Sequence, residues 1–88
     1  PGPVFLFGAH IFSQFLIYMG LNLDKIKAVL DNSGIKQGKR LYGTSLFVKS
    51  PLSIETLDEA YVILKAGEYQ QEIKQQLISL NHNVTIWE

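Results

Sequence analysis

Val4-Phe5-Leu6-Phe7-Gly8-Ala9-His10-Ile11-Phe12-Ser13-Gln14-Phe15 is the stretch that decides the fold. An uninterrupted apolar run stops at Gly8, and apolar residues then recur at helical spacing. The stretch therefore predicts a strand buried on both faces that turns tightly into a helix. Ile11, Phe12, Phe15, Leu16 and Met19 form the apolar stripe of that helix, expected over His10–Met19 and stopped by Gly20. A stripe this broad must lie across a sheet.

Outward from this stretch the chain alternates strands with helices or loops. Ile26 to Leu30 predicts a second strand, closed by Asp31. The polar segment Asp31-Asn32-Ser33-Gly34-Ile35-Lys36-Gln37-Gly38-Lys39-Arg40 reads as a loop, longer than most connections in compact domains. Leu46 to Val48 is a short third strand, and Leu52 to Leu57 one or two helical turns with Ser53 as a candidate N-cap. Tyr61 to Leu64 is a fourth strand that leaves through Lys65-Ala66-Gly67. Glu68 to Leu80 is the clearest helix, with Tyr69, Ile73, Leu77 and Leu80 on one face, and Val84 to Trp87 a last strand. Right-handed crossovers, with the most apolar strands central, give an α/β domain of three layers around a five-stranded parallel sheet ordered 3-2-1-4-5.

Composition bounds the partners. The 88 residues suffice for one domain with one core, and 47% of them are hydrophobic. Eight basic residues balance eight acidic ones, so no net charge draws the chain to nucleic acid or to an anionic membrane. The apolar run from Val4 is interrupted by Gly8, His10, Ser13 and Gln14 and lacks a basic leader, which argues against a signal peptide or a membrane span. Zero cysteines exclude disulfides and thiolate metal sites and agree with a reducing cytoplasm. Pro1-Gly2-Pro3 leads straight into a core strand without an initiator Met, which gives the expectation of a domain excised from the C-terminal part of a longer protein.

In an open parallel sheet, ligands bind at the carboxyl ends of the strands where the winding direction reverses. That point lies between the first and fourth strands, near Gly8, Ala9, His10 and Lys65 to Gly67. Gly8 permits the turn, the helix start offers amides to a phosphate, and Asp31 is placed to accept from a ribose or sugar hydroxyl. The dinucleotide fingerprint is incomplete, with His10 and Ser13 where its second and third glycines belong. A mononucleotide or sugar-phosphate group is the better match. Lys36 and Lys39, flanking Gly38, can hold an anion or face another domain. His82 has no second ligand at metal spacing, and no Ser/His/Asp set or P-loop is present, so a catalytic centre and a metal site are both unsupported.

Gly8-Ala9, Asp31-Asn32, Lys36-Gln37-Gly38-Lys39, Gly43-Thr44, Ser50-Pro51, Tyr61 to Leu64 and Glu72-Ile73 together resemble the C-terminal, Rossmann-like domain of sugar C-methyltransferases over nearly the whole chain. The resemblance implies an upstream methyltransferase domain in the same chain that binds S-adenosylmethionine, with no cofactor in this domain. It implies a nucleotide-linked keto-sugar as substrate. The domain itself would bind that substrate or close over it, at Gly8, Ala9, His10, Asp31, Lys36, Gly38, Lys39 and Lys65, and would not be active alone. The pattern departs at Phe12, Tyr42 and Ala66-Gly67, where family members carry lysine, proline and a Trp-Asn pair. A similar arrangement opens sugar acetyltransferases and nucleotide-sugar dehydratases. A non-catalytic interaction domain, docking through the Lys36 to Gly43 loop, is the alternative from another class.

Overall fold

The computed structural model describes residues 2–8, 23–41 and 44–88 of the chain. The helix expected over His10–Met19, and with it Ala9 and His10, lies outside them. Within them the chain runs β1 (Val4–Phe7), a 3-10 turn (Leu23–Lys25), β2 (Ile26–Leu30), β3 (Val48–Lys49), a 3-10 turn (Pro51–Ile54), β4 (Ala60–Leu64), a 3-10 turn (Gly67–Tyr69), α1 (Gln70–Leu80) and β5 (Val84–Trp87). All strand pairs are parallel and the order is β3-β2-β1-β4-β5, as the sequence predicts.

Each face of the sheet carries its own cluster. On the α1 side Phe5, Phe7, Ala28, Leu30, Ala60, Val62 and Leu64 pack with Ile54 and Leu77. On the other, Leu6, Ile26, Val29 and Val48 pack with Leu41 and Leu46 of the long loop. The register of β1 on β2 slips between Val4 and Phe5, pairing Val4 with Ile26 and Phe5 with Ala28. Lys27 is thereby passed over and stays exposed, so the one charged residue of β2 costs the core nothing. β4 is less enclosed than its apolar run suggests, because Tyr61 and Ile63 are only half-buried.

Three local expectations need correcting. The third strand is Val48–Lys49 and not Leu46–Val48, because the preceding residues pair antiparallel: Arg40 bridges Phe47, and Leu41 N–H donates to Leu46 O at 2.8 Å. The turn after it is capped by Ser50, whose Oγ accepts from Leu52 N at 3.2 Å, and not by Ser53; Pro51 occupies the first turn, where its missing N–H costs nothing. The last helix begins as a 3-10 turn and becomes α-helical at Gln70.

Asn81 closes the far end of α1. It is buried at 7% exposure, and every polar atom of its side chain is used. Nδ2 donates to Ile54 O at 2.8 Å and Leu57 O at 2.9 Å, while Oδ1 accepts from Asn83 N at 2.8 Å. One amide thus ties the helix end to the turn before β4, which fixes the height at which α1 crosses the sheet.

Candidate functional site

β1, β2 and β4 end together around a crevice of about 430 Å³ lined by Phe7, Gly8, Asp31, Asn32, Lys36, Ala66, Tyr69 and Ile73. The volume lies within the ordinary range for small-ligand sites. Gly8 has φ +105°, a value L side chains rarely adopt, so glycine is what lets β1 stop and bend here. Its own N–H donates to Leu30 O at 2.7 Å and extends the sheet by one bond. Gly8 therefore contributes the bend and an uncluttered wall, and its amide is engaged by β2.

The β2 side of the crevice is polar. Asp31 N–H donates to Lys49 O at 3.0 Å, which anchors the residue to β3, and its Oδ1 accepts from Ser33 N at 2.8 Å in an Asx turn. Gln37 Nε2 donates to Asp31 O at 2.8 Å, and Lys36 and Gln37 N–H groups both return to Ser33 O. This tight turn places Lys36 Nζ 4.0 Å from Asp31 Oδ2, with the carboxylate side chain 14% exposed and the lysine 47%. A carboxylate acceptor and an ammonium donor thus stand side by side at the mouth.

The α1 side is apolar, made by Ala66, Tyr69 and Ile73. Tyr69 is 57% exposed, so its ring offers a free surface to a ligand. The two sides are clasped at the rim by Asn32 and Gln76: Nδ2 of Asn32 donates to Oε1 of Gln76 at 3.0 Å, and Nε2 of Gln76 donates back to Oδ1 of Asn32 at 2.8 Å.

Sequence reasoning named Gly8, Asp31 and Lys36 as site residues, and the structure brings those three together. Lys65 lies elsewhere, in a more open hollow of about 620 Å³ with Gly67, Gln70 and Glu88. There Gln70 secures the exit of β4: Oε1 accepts from Ala66 N at 2.7 Å, and Nε2 donates to Leu64 O at 3.0 Å and to Glu88 Oε1 at 3.2 Å. Lys74 Nζ sits 2.9 Å from Glu88 Oε2, and chiefly this bond, with that of Gln70, holds the Glu88 carboxyl below its ordinary value. Gly38 and Lys39 do not line the crevice. Gly38 N–H donates to Val48 O at 2.8 Å and Lys39 O accepts from Val48 N at 2.7 Å, so both run along the outer side of β3. Arg40 then stacks its guanidinium 5.4 Å from the centre of the Phe47 ring. Ala9 and His10 lie outside the described residues.

Asn32, Tyr69 and Ile73 were not foreseen as lining. Asn32 was legible as the neighbour of Asp31. Tyr69 shares a helical face with Ile73 and Leu77 in the sequence pattern, yet it stands in the 3-10 turn before α1 and is largely exposed. Among the described residues no group of three or more His, Cys, Asp or Glu is placed to hold a metal ion, and no helix is long and apolar enough to cross a membrane.

The model of the C-methyltransferase C-terminal domain family matches residues 3–87, and the chain belongs to that family. No curated protein and no solved structure matches it significantly.

Proposed function

We propose that this C-methyltransferase C-terminal domain binds a nucleotide-linked sugar in the crevice at the end of β2, while methyl transfer is performed by an upstream methyltransferase domain of the same chain. The observation that carries the reading is the convergence of Gly8, Asp31 and Lys36 on one crevice at the reversal point of the sheet. Asp31 Oδ2 accepts from a ribose or sugar hydroxyl, and Lys36 swings from Asp31 to a phosphate oxygen. Tyr69 supplies a flat surface for a base or a sugar ring.

S-adenosylmethionine is the methyl donor the resemblance implies, and in this reading the upstream domain holds it.

The test is an amide chemical-shift titration of the domain with UDP-glucose and dTDP-glucose. Shifts should centre on Gly8, Asp31, Asn32, Lys36 and Tyr69, and Asp31→Asn should weaken binding roughly tenfold, the loss of one charged hydrogen bond. No response at millimolar ligand, or shifts remote from these residues, overturns the reading. Ile35, at 79% exposure on the long loop, favours a second reading in which that loop docks on a neighbouring domain. Protection of the loop amides from hydrogen exchange in a longer chain, with no response to the sugar nucleotides, would select it.

A further inference from the structure

The two edges of the sheet are finished differently. Along β3 the preceding loop lies antiparallel, Gly38 N–H donating to Val48 O and Val48 N–H to Lys39 O, and Lys49 adds a charge. That edge is closed to other chains. β5 is the opposite edge and pairs with β4 alone, in regular register from Ala60 with Val84 to Ile63 with Trp87. Val84–Trp87 carries no lysine, proline or bulge, and among the described residues no hydrogen bond from another segment reaches the outer side of β5. Alternate residues of the strand therefore hold N–H and C=O groups out to solvent.

Large apolar side chains flank this open edge on both faces of the sheet. Val84 and Ile86 turn toward the α1 side, so Thr85 and Trp87 lie on the other. There Trp87 is exposed and rests against Tyr61 of β4, with ring centres 5.6 Å apart. On the α1 side Ile78 is exposed, one helical turn beyond the Lys74 that reaches Glu88 past the end of β5. Ile78 thus stands on the flank of α1 above the open edge, turned away from Gln76, which clasps Asn32 across the crevice. The charges here are sorted by end. Lys65, Lys74 and Glu88 gather at the carboxyl ends of β4 and β5, whereas Asp58, whose carbonyl accepts from Asn83 Nδ2 at 3.0 Å, lies with Glu59 at their amino ends.

We infer that β5 is the interface of a two-fold symmetric dimer, in which the sheets of two copies of this chain join antiparallel through Val84–Trp87. The occupant is a second copy because the edge is complementary to itself. Antiparallel pairing brings the end with two cations to the acidic end of the other copy, where a parallel neighbour would set like beside like. Pairing about Ile86 places Trp87 of each copy opposite Thr85 of the other on one face. On the other face, four residues of helix and two of strand both span about 6 Å, so Ile78 stands level with Ile86 and meets its own counterpart at the axis. Because the β3 edge is closed, association stops at two. The inference is independent of what the crevice binds.

Sedimentation equilibrium of the 88-residue chain should show the mass rising from one copy to two, and no further, across the micromolar range. Hydrogen exchange should slow within Val84–Trp87 as the dimer forms, with Val48 and Lys49 unchanged. Thr85 and Ile78 are both exposed, so the pair T85K/I78K should weaken the dimer by about tenfold or more, with thermal melts showing that the variant folds. L52K, which alters an exposed leucine in the Pro51–Ile54 turn away from this edge, should leave the dimer as it is. A single-copy mass up to millimolar concentration, growth beyond two copies, or an undiminished dimer in T85K/I78K would each overturn the inference. So would protection of β5 in a longer chain that stays monomeric, which would assign the edge to a strand of a neighbouring domain.

Discussion

β2 and β4 leave the sheet on either side of β1, and their ends are fastened by different chemistry. At β4 the fastener is neutral, since Gln70 reaches back from α1 to Ala66 N and Leu64 O. At β2 it is charged, since Asp31 folds the chain around its own carboxylate and keeps Lys36 4.0 Å away. A neutral amide bridging two backbone groups has no spare charge to offer a ligand. A carboxylate beside a mobile ammonium can exchange its internal partner for an external one. The difference teaches that the ends of the two strands flanking β1 divide the work, one holding the helix in place and the other facing outward.

The comparison breaks entirely if the helix is unseated, because α1 carries both Gln70 and the Gln76 that clasps Asn32. Leu77 is fully buried beneath it, and Leu77→Ala should cost about 2–5 kcal/mol in urea denaturation while loosening both exits alike in hydrogen exchange. Gln70→Leu separates them. Leaving Ala66 N and Leu64 O without a partner should cost about 1–3 kcal/mol and raise exchange at Ala66, with the amides of Ser33 and Lys36 unchanged. Asp31→Asn goes the other way. Its oxygen still accepts from Ser33 N, so stability should shift by less than about 1 kcal/mol, whereas sugar-nucleotide binding falls.

The smallest effect concerns Glu88. Because Lys74 and Gln70 hold its carboxyl below the ordinary value near 4.5, the pair stabilises the fold above that pH, and the contribution disappears as pH falls through the lowered value. Lys74→Met should return most of the carboxyl titration toward the ordinary value, read by side-chain carbon shifts.

Much of the fold was legible because it rests on patterns that a linear sequence displays. The apolar runs of β1 and β2 and the helical stripe of α1 identify themselves, and handedness then orders the sheet. What failed was decided by non-local pairing. The long loop lies antiparallel along β3, which moves that strand toward Lys49 and carries Gly38 and Lys39 to the sheet edge. Lys65 is adjacent in sequence to Ala66, but only Ala66 lines the crevice. Tyr69 shows the limit of periodicity, which names a helical face without saying where the sheet beneath it ends. Asn81 marks the end of the helix in the sequence, but its tie to the turn before β4 gave no signal, because its partners Ile54 and Leu57 offer only backbone carbonyls.

The clasp between Asn32 and Gln76 has a consequence for how the mouth behaves in different media. Two carboxamides carry no formal charge and do not titrate, so the width they set is insensitive to ionic strength and to acidity. The Lys36 ammonium beside it is felt through a field that salt shortens to about 8 Å at physiological concentration. Dissolved ions can therefore tune how strongly the aperture attracts a guest without altering the aperture's dimensions.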